Sequence, residues 1–569
     1  MFAEELKAVS EVARGVRPAS LMLRGGKVVN LFTREINEAD LLIKGGTIAA
    51  IGSGYPAGEE VIDLAGSCII PGFIDAHIHL ESTLLLPAQF AAAVLPHGTT
   101  SVIADPHEIA NVLGEAGITF MLKASENLPL DFYFTVPSCV PATEMETTGG
   151  EITPGQVERL LDHPRMVGLA EMMNFSGVIH GDKAVAAKIA AARRRGKPVD
   201  GHLPGMGGPD LQAYLTAGIS TDHECVSAAE ALEKVSHGMR VIIREGSAAR
   251  NLSALLPAVE AAGSRWFMFG SDDKEAGELL SAGHIDEILR RAVGQGCDPV
   301  AAVQMATLNP ALHYGLTGYG AVASGYRANL VVVDDLQNFN ARLVIKDGRV
   351  VAREGALATE IASYPPEEDH LQTVRLLRPL QAEDFIFKAG PGVVPVIGII
   401  PEQIITEKLL LEPRRDENGA VQADPQRDII KIAVVERHRR SGRIAKGLLR
   451  GLGIQQGAIA SSVAHDSHNI IVAGVEEAAM AAAVNALARA GGGFAVADGR
   501  AEVSALLPLP VAGLISPEPA AKVAAALARV TAAAQALGAA PPQPFLTLSF
   551  LALPVVPHLK ITDRGLFEG

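Results

Sequence analysis

The sequence predicts an α/β protein: a (β/α)8 TIM-like barrel inserted in a small β-sandwich domain built from both flanks, plus a C-terminal α/β domain. Three observations predict it. Apolar strand-like runs alternate with helix-like stretches through the middle of the chain. A hairpin phrase, "LLIKGGTIAAIG" (41–52), returns on the far side of that alternation as "LVIKDGRVVAREG" (343–355). Beyond about residue 360 the composition turns Pro-rich and charged, then alanine-rich. A chain of 569 residues is too long for one ordinary domain. The boundaries drawn are 1–66 and 319–360 for the two parts of the β-domain, 67–318 for the barrel, and 361–569 for the C-terminal domain.

Each element has a local reason. Gly45-Gly46 and Asp347-Gly348 are hairpin turns between apolar runs. The eight barrel strands are expected at 73–79, 98–104, 131–137, 166–171, 198–202, 218–223, 239–245 and 265–272. Helices are expected between most of them, as at 108–125, 182–195 and 227–237. An open doubly wound sheet is the alternative, but no GxGxxG follows the first strand and no P-loop occurs. In the last domain, 428–438 reads as a strand and 475–490 as a helix, and 520–544 reads as helix then linker.

Composition narrows the function. Apolar residues make up 48% and charged residues 20%, the balance of a soluble globular chain. The net charge of −15 argues against a nucleic-acid or anionic-membrane surface. Cys68, Cys139, Cys225 and Cys297 form no CxxC pair and read as reduced thiols. The opening "MFAEELKAVSEVARG" lacks the apolar core of a signal peptide, and no charge-free membrane span follows. A cytoplasmic location is expected.

The chemistry concentrates at strand ends. In "PGFIDAHIHLEST" (71–83), side chains two apart on a regular strand share a face. His77, His79 and Asp75 would then face one way, and Ile74, Ala76 and Ile78 the other. Barrel active sites form at the C-terminal ends of the strands. There stand Glu171 (in "GLAEMMN"), His202 (in "VDGHLPG"), His223 (in "STDHECV") and Asp272 (in "FGSDDKE"). Four imidazoles and two carboxylates exceed what one tetrahedral ion needs, and suit two metals with a carboxylate between them.

The order HxH, strand-four carboxylate, His, His, Asp resembles the amidohydrolase superfamily of metal-dependent hydrolases. "VQMATLNPALHYGL" (303–316) looks like its return segment from barrel to β-domain. Within it, "PGFIDAHIHLEST", "TTSVIADPHEIANVLG", "GLAEMMNF", "DGHLPG", "TDHE", "GSDD" and the C-terminal "VAHDSHNIIVAGV" (463–475) resemble the bacterial adenine deaminases over essentially the whole chain. The resemblance implies hydrolytic deamination of adenine to hypoxanthine and ammonia by a metal-activated bridging hydroxide, in purine salvage. It implies a binuclear divalent centre of Mn(II) or Fe(II), with Zn(II) as the alternative. His77 and His79 would bind one metal and His202 and His223 contribute to the second. Glu171 would bridge, and Asp272 would contact a metal and carry the proton from the nucleophile to the leaving group. Many superfamily members carry a carboxylated lysine on the fourth strand, where this chain has Glu171. Cytidine-deaminase chemistry is excluded: "HLE" (79–81) has no PCxxC to accompany it. The expected partners are adenine and water, in a homodimer or homotetramer. The alternative is an amidohydrolase acting on another aminopurine, a pyrimidine or a cyclic amide. A non-catalytic scaffold would have lost ligands, and all six are present.

Other residues have two readings. Glu81 either points into the site, to protonate a ring nitrogen, or caps the next element. Asp105 and Glu108 read either as helix caps or, with His107, as substrate or auxiliary metal contacts, for which His107 is the preferred residue. Asp273 should face away from Asp272 on a regular strand. His465, in a loop outside the barrel, is either polar surface or a substrate contact at the mouth. His223, beyond ligation, is a candidate to polarise substrate.

Overall fold

The computed structural model describes residues 3–401, 403–556 and 558–568. Eight parallel barrel strands run Phe73–Ile78, Thr99–Ala104, Asp131–Val136, Met166–Met172, Val199–Gly201, Thr221–Asp222, Arg240–Arg244 and Phe267–Gly270. The first five are hydrogen-bonded in chain order, as are the last three. The Gly201 N–H donates to Thr221 Oγ1 at 3.3 Å, joining the fifth strand to the sixth. The Asp272 N–H donates to the His77 carbonyl at 2.9 Å and closes the eighth onto the first. Ile74, Ala76, Ile103, Val167, Ile242 and Met268 come from opposite sides of the ring and form one buried cluster. They can meet only along the barrel axis.

The first strand corrects the simple alternation. Asp75 pairs with Val102 and Ile78 with Ala104, so the strand gains a residue on its neighbour between them. Such a bulge swaps the two faces. Ile74 and Ala76, before it, face the axis. Asp75 faces outward, where Ser271 donates to it and His284 Nε2 lies at 2.9 Å. Only beyond the bulge do His77 and His79 turn to the axis. Asp75 therefore does not share their face, as regular alternation had it.

The two flanks form one nine-stranded sheet. Strand Cys68–Pro71 lies between Leu21–Val29 and Leu330–Val333 and couples the parts. The two hairpin turns touch: a Cβ on Gly348 (φ +74°) would stand 2.1 Å from the Gly45 carbonyl oxygen, so only glycine fits. The helix expected at 108–125 is two, His107–Leu113 and Glu115–Ala124, broken at Gly114 (φ +63°).

The C-terminal domain is an eight-stranded sheet. The alanines of helix Glu477–Ala490 let it lie close on strands such as Ala458–Ser461 and Ile470–Gly474. After helix Ala520–Ala536 the linker is brief, because Pro544 starts another helix, Pro544–Phe550. The loop 462–469, between strands Ala458–Ser461 and Ile470–Gly474, is buried throughout and reaches the C-terminal end of the barrel. Among the described residues, no helix is long and apolar enough to cross a membrane.

Candidate active site

Glu171 ends the fourth strand with its two oxygens facing different histidines. Oε1 lies 3.5 Å from His79 Nε2 and 3.5 Å from His107 Nδ1. Oε2 lies 2.8 Å from His202 Nδ1 and 3.0 Å from His223 Nε2. Asp272 Oδ1 is 3.2 Å from His79 Nε2 and 3.7 Å from His77 Nε2. The His77 and His223 rings stack at 4.3 Å. The four histidines and two carboxylates read from the sequence thus stand together, all buried.

Buried polar atoms are normally hydrogen-bonded. Here His77 Nε2, His202 Nε2 and His223 Nδ1 have no such partner. Donor atoms of His77, His79 and Asp272 lie within 4.8 Å of one another, as do those of His77, Glu171 and His223. Imidazole and carboxylate donors without thiolate suit Mn(II), Fe(II) or Zn(II). The residues fit a pair of divalent cations.

The electrostatics agree. Burial, reinforced by His223 and His79, holds the His77 ring well below the usual imidazole value, so it is neutral. At His79 burial acts in the same direction, but the hydrogen bond its ring donates to Asp272 and the neighbouring carboxylates raise the ring well above that value. Burial likewise opposes, and Glu171 outweighs it, at His223. Glu171 and Asp272 sit well below the carboxylate range despite burial, held by His223 and His202 in one case and by Arg244 in the other. These carboxylates draw positive charge into a dry site, which is what a divalent cation supplies.

The remaining residues divide. Glu81 is buried, with Oε1 accepting the Ile109 N–H at 3.0 Å and Oε2 unpartnered. Burial and the Glu108 charge push its carboxyl up to about 8. His107 is buried beside Glu171, with Nδ1 3.1 Å from Asp105 Oδ2. Asp105 does receive the His107 N–H at 3.1 Å, as a cap would. Glu108 caps nothing; its Oε1 lies 2.8 Å from Ser82 Oγ. Asp272 has φ +56°, which ends the strand's alternation and lets Asp273 accept from Ser82 at 2.5 Å. Its expected outward direction is therefore corrected. His465 is buried, its ring stacked 4.9 Å from that of Phe550 and its Nε2 unpartnered.

Two residues escaped the sequence reading. Glu224 lies 3.4 Å from His223 Nε2 and 3.6 Å from His202 Nδ1. Strand Thr221–Asp222 ends before it, so alternation does not send it away. Arg244 ends the seventh strand and donates to Asp272 Oδ2 at 2.7 Å and to Glu224 Oε2 at 3.1 Å. Its signal was a charge at the end of the apolar run "MRVIIRE".

Residues 68–351 match the Amidohydrolase family, and residues 403–569 match the Adenine deaminase C-terminal domain. An adenine deaminase from Desulfatibacillum aliphaticivorans is 47% identical over 98% of this chain and 97% of its own. The chain belongs to the adenine deaminase family. A second adenine deaminase, from Methanothrix thermoacetophila, is 48% identical over 98% of this chain and 96% of its own. Among solved structures, N-isopropylammelide isopropylaminohydrolase from Burkholderia multivorans ATCC 17616 is 20% identical, with a TM-score of 0.45. It covers 60% of this chain and 100% of its own.

Proposed function

We propose that the protein hydrolyses adenine to hypoxanthine and ammonia in purine salvage, at the cluster centred on Glu171. The observation that carries this is the division of the histidines between the two Glu171 oxygens, the arrangement a bridging carboxylate needs. His77, His79 and Asp272 would hold one divalent ion and His202 and His223 a second, with Glu171 shared. Mn(II) or Fe(II) is the preferred metal, with Zn(II) the alternative. Two such ions would bring the pKa of a water into the neutral range.

The chain's own residues supply the rest. Asp272 accepts the proton of the attacking water and passes it to the departing amine. Arg244 holds Asp272 Oδ2, which leaves Oδ1 turned to the histidines. A carboxyl pushed up to about 8 is protonated at neutral pH, so Glu81 can donate to a ring nitrogen as the amine carbon is attacked. His223 polarises the substrate, and His107 and His465 contact the purine. All four cysteines are free thiols, which supports a cytoplasmic setting.

The test is ammonia release from adenine by metal-stripped protein reloaded with Mn(II), Fe(II) or Zn(II) in parallel. Release is expected, and fully loaded protein that releases none overturns the proposal. A panel of other aminopurines, pyrimidines and cyclic amides tests the alternative substrates.

A further inference from the structure

The seam where the barrel closes holds a buried carboxylate that the proposed chemistry leaves unused. Asp75 lies on the outer face of the first strand and is buried together with Ser271, His284 and Thr99. The Phe90 ring of helix Pro87–Val94 covers this side, meeting His284 edge-on at 5.6 Å. The two Asp75 oxygens take four groups. Oδ1 accepts the His77 N–H at 3.2 Å and the Ser271 N–H at 3.1 Å. Oδ2 accepts the Ser271 hydroxyl and lies 2.9 Å from His284 Nε2. His284 Nδ1 is in turn 2.8 Å from Thr99 Oγ1 on the second strand. A single oxygen, Oδ1, thus joins an amide of the first strand to the amide that follows the eighth.

Both amides adjoin the metal cluster. His77 is one proposed ligand, and Ser271 precedes Asp272, another. Just beyond, the Asp272 N–H donates to the His77 carbonyl at 2.9 Å and the His79 N–H to the Asp272 carbonyl at 3.3 Å. A few backbone bonds therefore set His77 and His79 against Asp272, and Asp75 stands at their base. Its bond to the His77 N–H also lies inside the bulge. An Asp side chain that takes the N–H two residues on offers the backbone an alternative to the strand ladder. An extra residue in a strand needs such an alternative, because it is left out of the pairing. This extra residue is the one that turns His77 and His79 to the axis.

We propose that Asp75 is a positioning residue of the metal centre: held by Ser271 and His284, it clamps the bulge of the first strand to the end of the eighth and so sets the donor atoms of His77 and His79 against those of Asp272. This rests on the pair of ions proposed above. Groups that orient metal ligands typically contribute about 10- to 100-fold to metal affinity or activity. His77, His79 and Asp272 serve one ion of that pair. His202 and His223 follow the fifth and sixth strands, across the ring from the seam. Loss of the clamp should therefore fall on one ion.

The experiment sets metal retention beside kinetics. Wild type and the isosteric Asp75→Asn are stripped of metal, checked for folding by circular dichroism, and titrated with Mn(II) by equilibrium dialysis. Asp75→Asn should hold one ion as wild type does and the other about 10- to 100-fold more weakly. Its kcat on adenine should fall by a similar factor, with a smaller change in KM. His284→Ala should weaken the same ion, and His284→Gln, whose amide can reach Oδ2, should recover part of that loss. If Asp75→Asn does not fold, Ser271→Ala, which removes one bond to Oδ2, carries the comparison with a smaller loss in the same direction. Folded variants that bind both ions as wild type does with an unchanged kcat overturn the proposal, even where their unfolding midpoint falls. Equal weakening of both ions overturns it too. Wild-type protein that binds two ions but releases no ammonia overturns the deaminase function instead, and the metal titration still decides this proposal. Wild-type protein that binds no Mn(II) overturns both.

Discussion

Asp222 and His223 are neighbours in sequence, yet they serve two buried charged clusters of opposite character. Around Lys234 every ammonium proton is used. Its Nζ donates to the Leu203 carbonyl at 2.6 Å, to Glu230 Oε1 at 2.8 Å and to Asp222 Oδ2 at 2.9 Å. Asp222 Oδ1 accepts the Leu203 N–H at 2.8 Å. Around Glu171, on the other face, nitrogens of His77, His202 and His223 lack partners. Burying a polar group without a hydrogen bond is costly. One cluster is complete as structure, while the other is complete only with something bound. Burial and charge alone do not distinguish them, but satisfaction does.

The sharpest break of this comparison is a change in each cluster. Glu171→Gln should lower the rate of ammonia release on the order of 10²- to 10³-fold while leaving the unfolding midpoint near that of wild type, since it removes a charge rather than a packed group. Lys234→Met should do the reverse. It strands the buried Asp222 carboxylate, so denaturant titration should show a loss of about 3–5 kcal/mol, with folded protein still active. Adding Mn(II) to stripped protein should stabilise it by about 2–3 kcal/mol at a hundredfold excess over the dissociation constant. Thermal unfolding reads this, and the Lys234→Met background should respond equally.

Lys560 gives the smallest effect and a third case. Its ammonium donates to the Ile404 and Phe550 carbonyls at 2.7 Å and 3.1 Å, and burial pushes its pKa down to about 7. The unfolded chain holds that proton until about pH 10.4. Between those values the unfolded state binds more protons, so stability rises with pH from about 7 to about 10, and below 7 the cost of burying the charge is full and constant. Lys560→Met should therefore be more stable than wild type by about 1–3 kcal/mol near pH 6, with the difference shrinking towards pH 10. Denaturant midpoints at the two pH values check it.

Much of this organisation was legible in the residues. The barrel shows because apolar runs recur with helices between them, and several of them end in a residue with chemistry, as at Glu171, His202 and Asp272. The paired hairpins show because Gly45-Gly46 and Asp347-Gly348 are strong turn signals. What was not legible depends on geometry that no local pattern carries. The bulge between Asp75 and Ile78 reverses a strand face without any proline or glycine to announce it. Asp273 turns towards Ser82 because Asp272 takes a left-handed conformation. Glu224 and Arg244 become site residues through contact with each other and with His223 and Asp272. The loop carrying Asp466 lies far along the chain from His107, and only the docking of two domains joins them.

The central claim is that Glu171 joins two ions at the unsatisfied cluster. It is tested most directly by titrating Mn(II) into metal-stripped protein while bound metal and ammonia release are followed together. Activity should rise until two ions are bound per chain, and Glu171→Gln should fail to retain the pair. Full activity at one ion, or two ions held unchanged by Glu171→Gln, would contradict it.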